Sequence, residues 1–246
     1  MRTNHVALII GLFAGLSQPA CAATPSSLDN YNVVWDSPSK NSLESMLMGN
    51  GDIGLNVWVE PSGDLVFFIG KTDAWDENLR LLKLGKVRVA FTPALETGAG
   101  FRQELKLRDG IMDIQTPAAR VRVWVDANHP VIQVDATSTT GKPIEARASF
   151  DIWRKEKRPL GGPRSGGGND YFSTGYTSLP AHSYPDTVLP RATNRIGWYH
   201  RNVVSPWLPS LKLQNVEAIA ETQSDPMLNR TMGAIVRGEN FVPVSD

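Results

Sequence analysis

Apolar and polar residues alternate with a period of two in short runs along this chain, which confines it to sheets whose strands each bury one face. The runs are Leu55–Glu60 (LNVWVE), Lys86–Phe91 (KVRVAF), Arg120–Val125 (RVRVWV), Val131–Ala136 (VIQVDA) and Ile144–Trp153 (IEARASFDIW). Turn chemistry separates them at Glu60–Asp64 (EPSGD), Arg108–Gly110 (RDG), Asp126–Pro130 (DANHP) and Thr139–Pro143 (TTGKP). Strand-like sequence resumes at Arg195–His200 (RIGWYH) and Gly233–Gly238 (GAIVRG). No segment sustains a 3.6-residue apolar period, so the pattern predicts an all-β antiparallel sandwich.

Two stretches fall outside that pattern. Residues 1–22 carry a basic Arg2, an apolar run at Val6–Leu16 and a small-x-small end at Ala20-Cys21-Ala22, the features of an export signal. The run is shorter than the roughly 20 residues needed to span a bilayer. Cys21 is the single cysteine and has no leucine three positions before it, which favours simple export over lipidation. The expected location is therefore periplasmic or extracellular in a bacterium, with no membrane contact after cleavage. The mature domain is expected over residues 23–246, held by its core and not by disulfides. The second stretch, Lys155–Asn194, is rich in Gly, Pro, Ser and Tyr and reads as a long irregular insertion.

Lys+Arg and Asp+Glu balance at 25 each, without blocks of like charge. Nothing in that balance calls for nucleic acid or an acidic membrane, and a neutral partner fits it better.

Gly49, Gly51 and Gly54 in MLMGNGDIGLNVW (Met46–Trp58) spell G-x-G-x-x-G, the dinucleotide-binding spacing. A phosphate cradle of that kind must follow a buried strand and open a helix, whose free N–H groups hold the anion. Here an alternating strand follows, then a turn at Pro61–Asp64 and a second strand. The sequence thus predicts a turn entering a hairpin and no nucleotide cofactor.

The stretch LMGNGDIGLNVWVEPSGDLVFFIGKTDAWDEN (Leu47–Asn78), with GWYHRN (Gly197–Asn202) and SDPMLNRTMGAIVRG (Ser224–Gly238), resembles the N-terminal domain of bacterial exported glycoside hydrolases of the six-hairpin superfamily. It looks most like the domain of unknown function 5703 type, which is similar to the family 95 fucosidases and galactosidases. The resemblance implies a large antiparallel β super-sandwich, followed in such proteins by an (α/α)6 barrel that carries the catalytic acid and base. Because Asp246 falls before any barrel, the expectation is a sandwich cut short of completion, inactive alone, with no catalytic residue to carry over.

The residues agree with that expectation. Glycoside hydrolysis needs two carboxylates across the scissile bond, and one short segment such as Asp73, Asp76 and Glu77 does not easily supply both. As a capped turn with Trp75 packed inward, the segment is structural; as an interface with the barrel, it places Trp75, Asp76 and Asn78 at the sugar's rim. Asn50 and Asp52 in the glycine turn have the same two readings. His200, Arg201 and Asn202 follow a strand and could be aimed at a neighbouring domain or a substrate hydroxyl, although a lone histidine is more often structural. No histidine pair with metal-ligand spacing occurs, so no metal is expected. Gly162–Gly166 (GPRSG) lacks the spacing of a nucleophile elbow. Trp58, Trp124 and Trp153 read as core, and Trp75, Trp198 and Trp207 as exposed stacking candidates.

Three functions follow as expectations. The first is a non-catalytic module of an exported glycoside hydrolase, whose partners are a poly- or oligosaccharide and a C-terminal helical barrel in the same chain. The others are a stand-alone carbohydrate-binding module and a structural or interaction domain of the cell envelope.

Overall fold

The computed structural model describes residues 27–160, 181–190, 192–239 and 241–242. The expected export signal with Cys21, most of the glycine-rich part of the expected insertion and Gly162–Gly166 lie outside these residues.

In chain order the strands are β1 (Val33–Trp35), β2 (Met46–Gly49), β3 (Ile53–Val59), β4 (Leu65–Trp75), β5 (Leu81–Thr92), β6 (Arg102–Lys106), β7 (Ile111–Gln115), β8 (Ala119–Val125), β9 (Ile132–Ser138), β10 (Glu145–Asp151), β11 (Arg158–Pro159), β12 (His182–Ser183), β13 (Thr187–Val188), β14 (Arg195–Arg201) and β15 (Thr231–Arg237). The one α-helix among the described residues, α1 (Trp207–Leu213), lies between the last two. Two five-stranded antiparallel sheets, ordered β1-β6-β7-β8-β9 and β10-β5-β4-β3-β2, share a single apolar core. A three-stranded sheet, β13-β14-β15, adds Trp198 and Met232 to that core. The fold is all-β, as the alternation predicts.

The period of two does the sorting. In β8, Ala119, Val121 and Val123 are buried while Arg120 and Arg122 point away. In β3 the alternation is weaker, because Trp58 is buried on the outer face as well as Leu55, Val57 and Val59 on the inner one. On that outer face the Trp58 ring packs on Phe68, with centroids 5.5 Å apart.

The glycine motif is the β2–β3 hairpin. Gly49 and Gly54 face each other across the strands, and Gly51 has φ +92°, a left-handed conformation that glycine adopts without a Cβ clash. Asn50 Oδ1 accepts from the N–H groups of Asp52 and Ile53, and Asn50 Nδ2 donates to the Asp126 carbonyl at 2.7 Å. One side chain therefore closes the turn and ties it to the loop between β8 and β9.

The described parts of Lys155–Asn194 are more ordered than the irregular insertion expected. Arg158 and Pro159 of β11 pair with Ser183 and His182 of β12, and Leu160 donates its N–H to the Ala181 carbonyl at 2.9 Å. Further on, β13 pairs with β14. Composition argued for a loop because Gly and Pro dominate it, yet its flanks return to the sheets.

Candidate functional site

The β4–β5 hairpin carries the acidic motif. Its ladder shifts register at Ile69, Gly70 and Trp75, a bulge that re-aims the hairpin's tip. At the tip, Asp76 Oδ1 accepts from the N–H groups of Asn78 and Arg80, both at 2.9 Å. Its Oδ2 accepts Arg80 Nε at 2.9 Å and Nη2 at 2.7 Å. Leu79 takes a φ of 59° and donates to the Asp76 carbonyl at 3.0 Å. Asp76 thus folds the turn, and Asn78, also buried, donates its side-chain amide to the His182 carbonyl at 2.7 Å.

Between them, Glu77 is driven inward, where it meets β14. The His200 ring, 1% exposed, lies between two carboxylates, with Nε2 at 3.0 Å from Glu77 Oε2 and Nδ1 at 2.9 Å from Asp186 Oδ1. Asp186 also accepts Arg154 Nε at 2.8 Å, and Arg154 Nη1 donates to the Lys83 carbonyl at 3.0 Å. Burial alone would lower the histidine's pKa; the hydrogen bonds to Asp186 and Glu77 more than offset it and raise the value to about 9. At neutral pH the His200 ring is therefore a cation held between the side chains of Glu77 and Asp186, with the Arg154 guanidinium on Asp186 as well. Pairing of this kind is what makes burial of such charges tolerable. It is not complete: Glu77 Oε1, Asp186 Oδ2 and Asn202 Oδ1 are buried with no hydrogen-bond partner among the described residues.

Asn202, fully buried at the end of β14, donates to the carbonyls of Trp75 and Met227, both at 3.1 Å. This locks the tip of β4 to the last turn before β15. Trp198, two residues before His200 on the same face, donates Nε1 to the Leu84 carbonyl at 2.7 Å and stacks on Phe150 with centroids 4.3 Å apart.

The predicted site residues thus divide into groups. Trp75, Asp76, Asn78, His200 and Asn202 are brought together at the junction of the β4–β5 tip and β14. Of these only Trp75 reaches the surface, at 38% exposed, with its Nε1 bonded to the Thr72 carbonyl. Asn50 belongs to the β2–β3 turn, which it closes, and its side chain is bonded to the loop between β8 and β9 and not to the junction. Asp52 binds Lys71 at 2.9 Å, and that hydrogen bond is the main reason its carboxyl lies below the ordinary range. Arg201 is exposed and donates to Asn229 Oδ1 at 2.9 Å. His200 and Asn202 therefore do not project toward a ligand or neighbour as a polar trio with Arg201; alternation sends them inward and Arg201 outward.

Two tryptophans are the reverse of the expectation. Trp198 is not an exposed stacking residue but is 1% exposed in the core, because it shares the inward face of a central strand with His200. Trp153 is not core but 42% exposed, because β10 ends at Asp151 and its alternation ends with it. Arg154 and Asp186 escaped the sequence reading altogether. Asp186 lies within the apparent insertion, and no local pattern marks either residue. For His200 a signal did exist: a residue two positions from a tryptophan on a strand shares its face.

The arrangement can hold a proton and join four segments, but it cannot ligate a metal through His200, whose ring nitrogens both face carboxylates. Among the described residues no group of three or more His, Cys, Asp or Glu is placed to hold a metal ion. No helix among them is long and apolar enough to cross a membrane.

No curated protein matches the chain. A family model does, described as domain of unknown function (DUF5703), and its match spans residues 34–246 and so takes in both sheets, the β4–β5 tip and the His200 network. The chain belongs to the DUF5703 family.

Proposed function

We propose that this domain is a non-catalytic module of an exported glycoside hydrolase, packing against and bordering a catalytic helical barrel of the same polypeptide. One observation carries the reading: two of the three carboxylates of the acidic motif, Asp76 and Glu77, are spent inside the fold, and the exposed third, Asp73, is paired with Lys71. Asp76 is bound to its own turn and Arg80, and Glu77 is 1% exposed against His200, so neither can flank a glycosidic bond. The same junction offers solvent an apolar surface instead. Trp75 and Leu79 stand out from the tip, and Val203 and Val204 follow directly on Asn202, the residue that grips Trp75's backbone. A large aromatic among aliphatic residues on a rigid base suits a permanent contact with another domain.

Reading the source gene past the Asp246 codon tests this first. A helical domain in frame is expected, and a stop codon there would sink the proposal. The isolated chain should release no product from a panel of aryl glycosides. Turnover that disappears in Glu77→Gln would make the module catalytic and overturn the reading.

A further inference from the structure

A second feature lies beside the network and is not used by it. An open cleft of about 290 Å³ is lined by Arg80, Lys83, Trp153, Arg154 and Arg158, with Ser183 among its other residues. Two of its cations are committed to the fold, Arg80 to Asp76 and Arg154 to Asp186. Lys83 and Arg158 are exposed and have no carboxylate partner among the described residues. A chain with no net charge therefore concentrates unspent positive charge in one cleft, which a whole-chain balance hides.

Trp153 is braced from behind. Its ring meets Phe68 edge-on with centroids 5.9 Å apart, and Phe68 in turn packs on buried Trp58 at 5.5 Å. The Arg154 guanidinium lies 5.4 Å from the Trp153 ring, and Lys83 Nζ lies 4.4 Å from the Phe68 ring. A propped, exposed indole loses little conformational freedom when a flat apolar surface settles on it.

We propose that this cleft binds an acidic saccharide, with the sugar ring against Trp153 and its carboxylate or sulfate group between Lys83 and Arg158. A guanidinium and an ammonium match such a group by charge-assisted hydrogen bonds. Single-stranded nucleic acid fits less well, since it calls for a basic track along several phosphates and successive stacking platforms, whereas this cleft has one. The saccharide class rests on the reading of the domain as part of a carbohydrate-active protein; the preference for an anion rests on the cleft itself.

Affinity electrophoresis of the chain through gels containing polygalacturonate, its fully methyl-esterified form, dextran sulfate or dextran tests the proposal. Retardation is expected with polygalacturonate or dextran sulfate, the stronger of the two identifying the anion, and none with the two neutral polymers. Arg158→Ala should weaken binding about tenfold, the loss of one charge-assisted contact. Trp153→Ala should weaken it about threefold or more. Lys142→Ala, which removes an exposed cation at the opposite end of β10, should leave it unchanged. Far-UV circular dichroism shows whether each variant is folded. No retardation by either anionic polymer, equal retardation by the esterified one, or full binding by folded Trp153→Ala would overturn the proposal. So would tighter binding of a single-stranded oligonucleotide. A stop codon after Asp246 would sink the module reading and leave this result standing, so the two fail separately.

Discussion

Raising the pH from 6 to 9 should loosen this fold through one side chain. His200 has its pKa raised from 6.5 to about 9 in the folded state, where its two N–H groups face Asp186 and Glu77. In the unfolded chain it returns to the ordinary value. Because the folded value is the higher, the stabilisation is complete below pH 6.5 and is lost as the pH rises through about 9. At about 1.4 kcal/mol per pH unit, the gap between those values amounts to ~3 kcal/mol. That is a large part of the roughly 5–15 kcal/mol that holds a domain folded. Urea denaturation at pH 6, 7.5 and 9, followed by far-UV circular dichroism, measures it. With a slope of about 1–3 kcal/mol per molar urea, the midpoint should fall by about 1 M or more across that range. His200→Gln removes the titration, so its midpoint should stay level with pH. It should also start lower than the wild type at pH 6, because Glu77 and Asp186 then lose the cation between them. A wild-type midpoint that does not move, or a His200→Gln profile with the same slope, would refute the assignment of a buried imidazolium.

Asp113 makes the opposite prediction at low pH. It is fully buried, and although burial pushes its carboxyl up, hydrogen bonds from Arg120, Lys106 and Gln115 hold it well below the ordinary range. Its contribution is present above pH 3.8 and fades as the pH falls below it, so Asp113→Asn should cost about 3 kcal/mol at pH 7 and flatten the acid limb of a urea-midpoint profile. Gly85→Ala would set a Cβ 2.7–2.8 Å from the Trp198 ring and should destabilise by about 1–3 kcal/mol while shifting tryptophan emission. Gly51→Ala meets no atom within 4 Å but keeps φ +92°, and should cost about 1–2 kcal/mol by calorimetry. Gly54→Ala, with open space and no such φ, should be nearly silent in the same measurement. Added NAD should leave the melting temperature unchanged, since these glycines form a hairpin and no helix follows them.

The strands were legible because alternation is a local signal: Leu55–Glu60, Lys86–Phe91, Arg120–Val125 and Arg195–His200 all lie in β3, β5, β8 and β14 or within a residue of them. Turns at Gly63, Gly110 and Gly141 were legible too, each with a positive φ where turn residues cluster. What was not legible is pairing at a distance. His200 meets Glu77 across 123 positions, and nothing near either residue announces the other. Asp186 was hidden by its neighbours, whose glycines and prolines argued for a loop. The acidic motif itself was visible, yet its composition does not distinguish a carboxylate facing solvent from one turned inward; that depends on the bulge in the β4–β5 ladder, which the alternation does not encode.

The bond between Leu160 and Ala181, with the two-residue ladder beside it, has a topological consequence. The segments on either side of residues 161–180 are paired to each other through β11 and β12. Because closure entropy grows only with the logarithm of loop length, sequence added between these paired flanks adds little to the cost of bringing them together. Relatives could vary this stretch, or carry another domain in its place, while Arg154 and Asp186 on either side keep their grip on each other. It is the natural position in this fold for genetic insertions to accumulate.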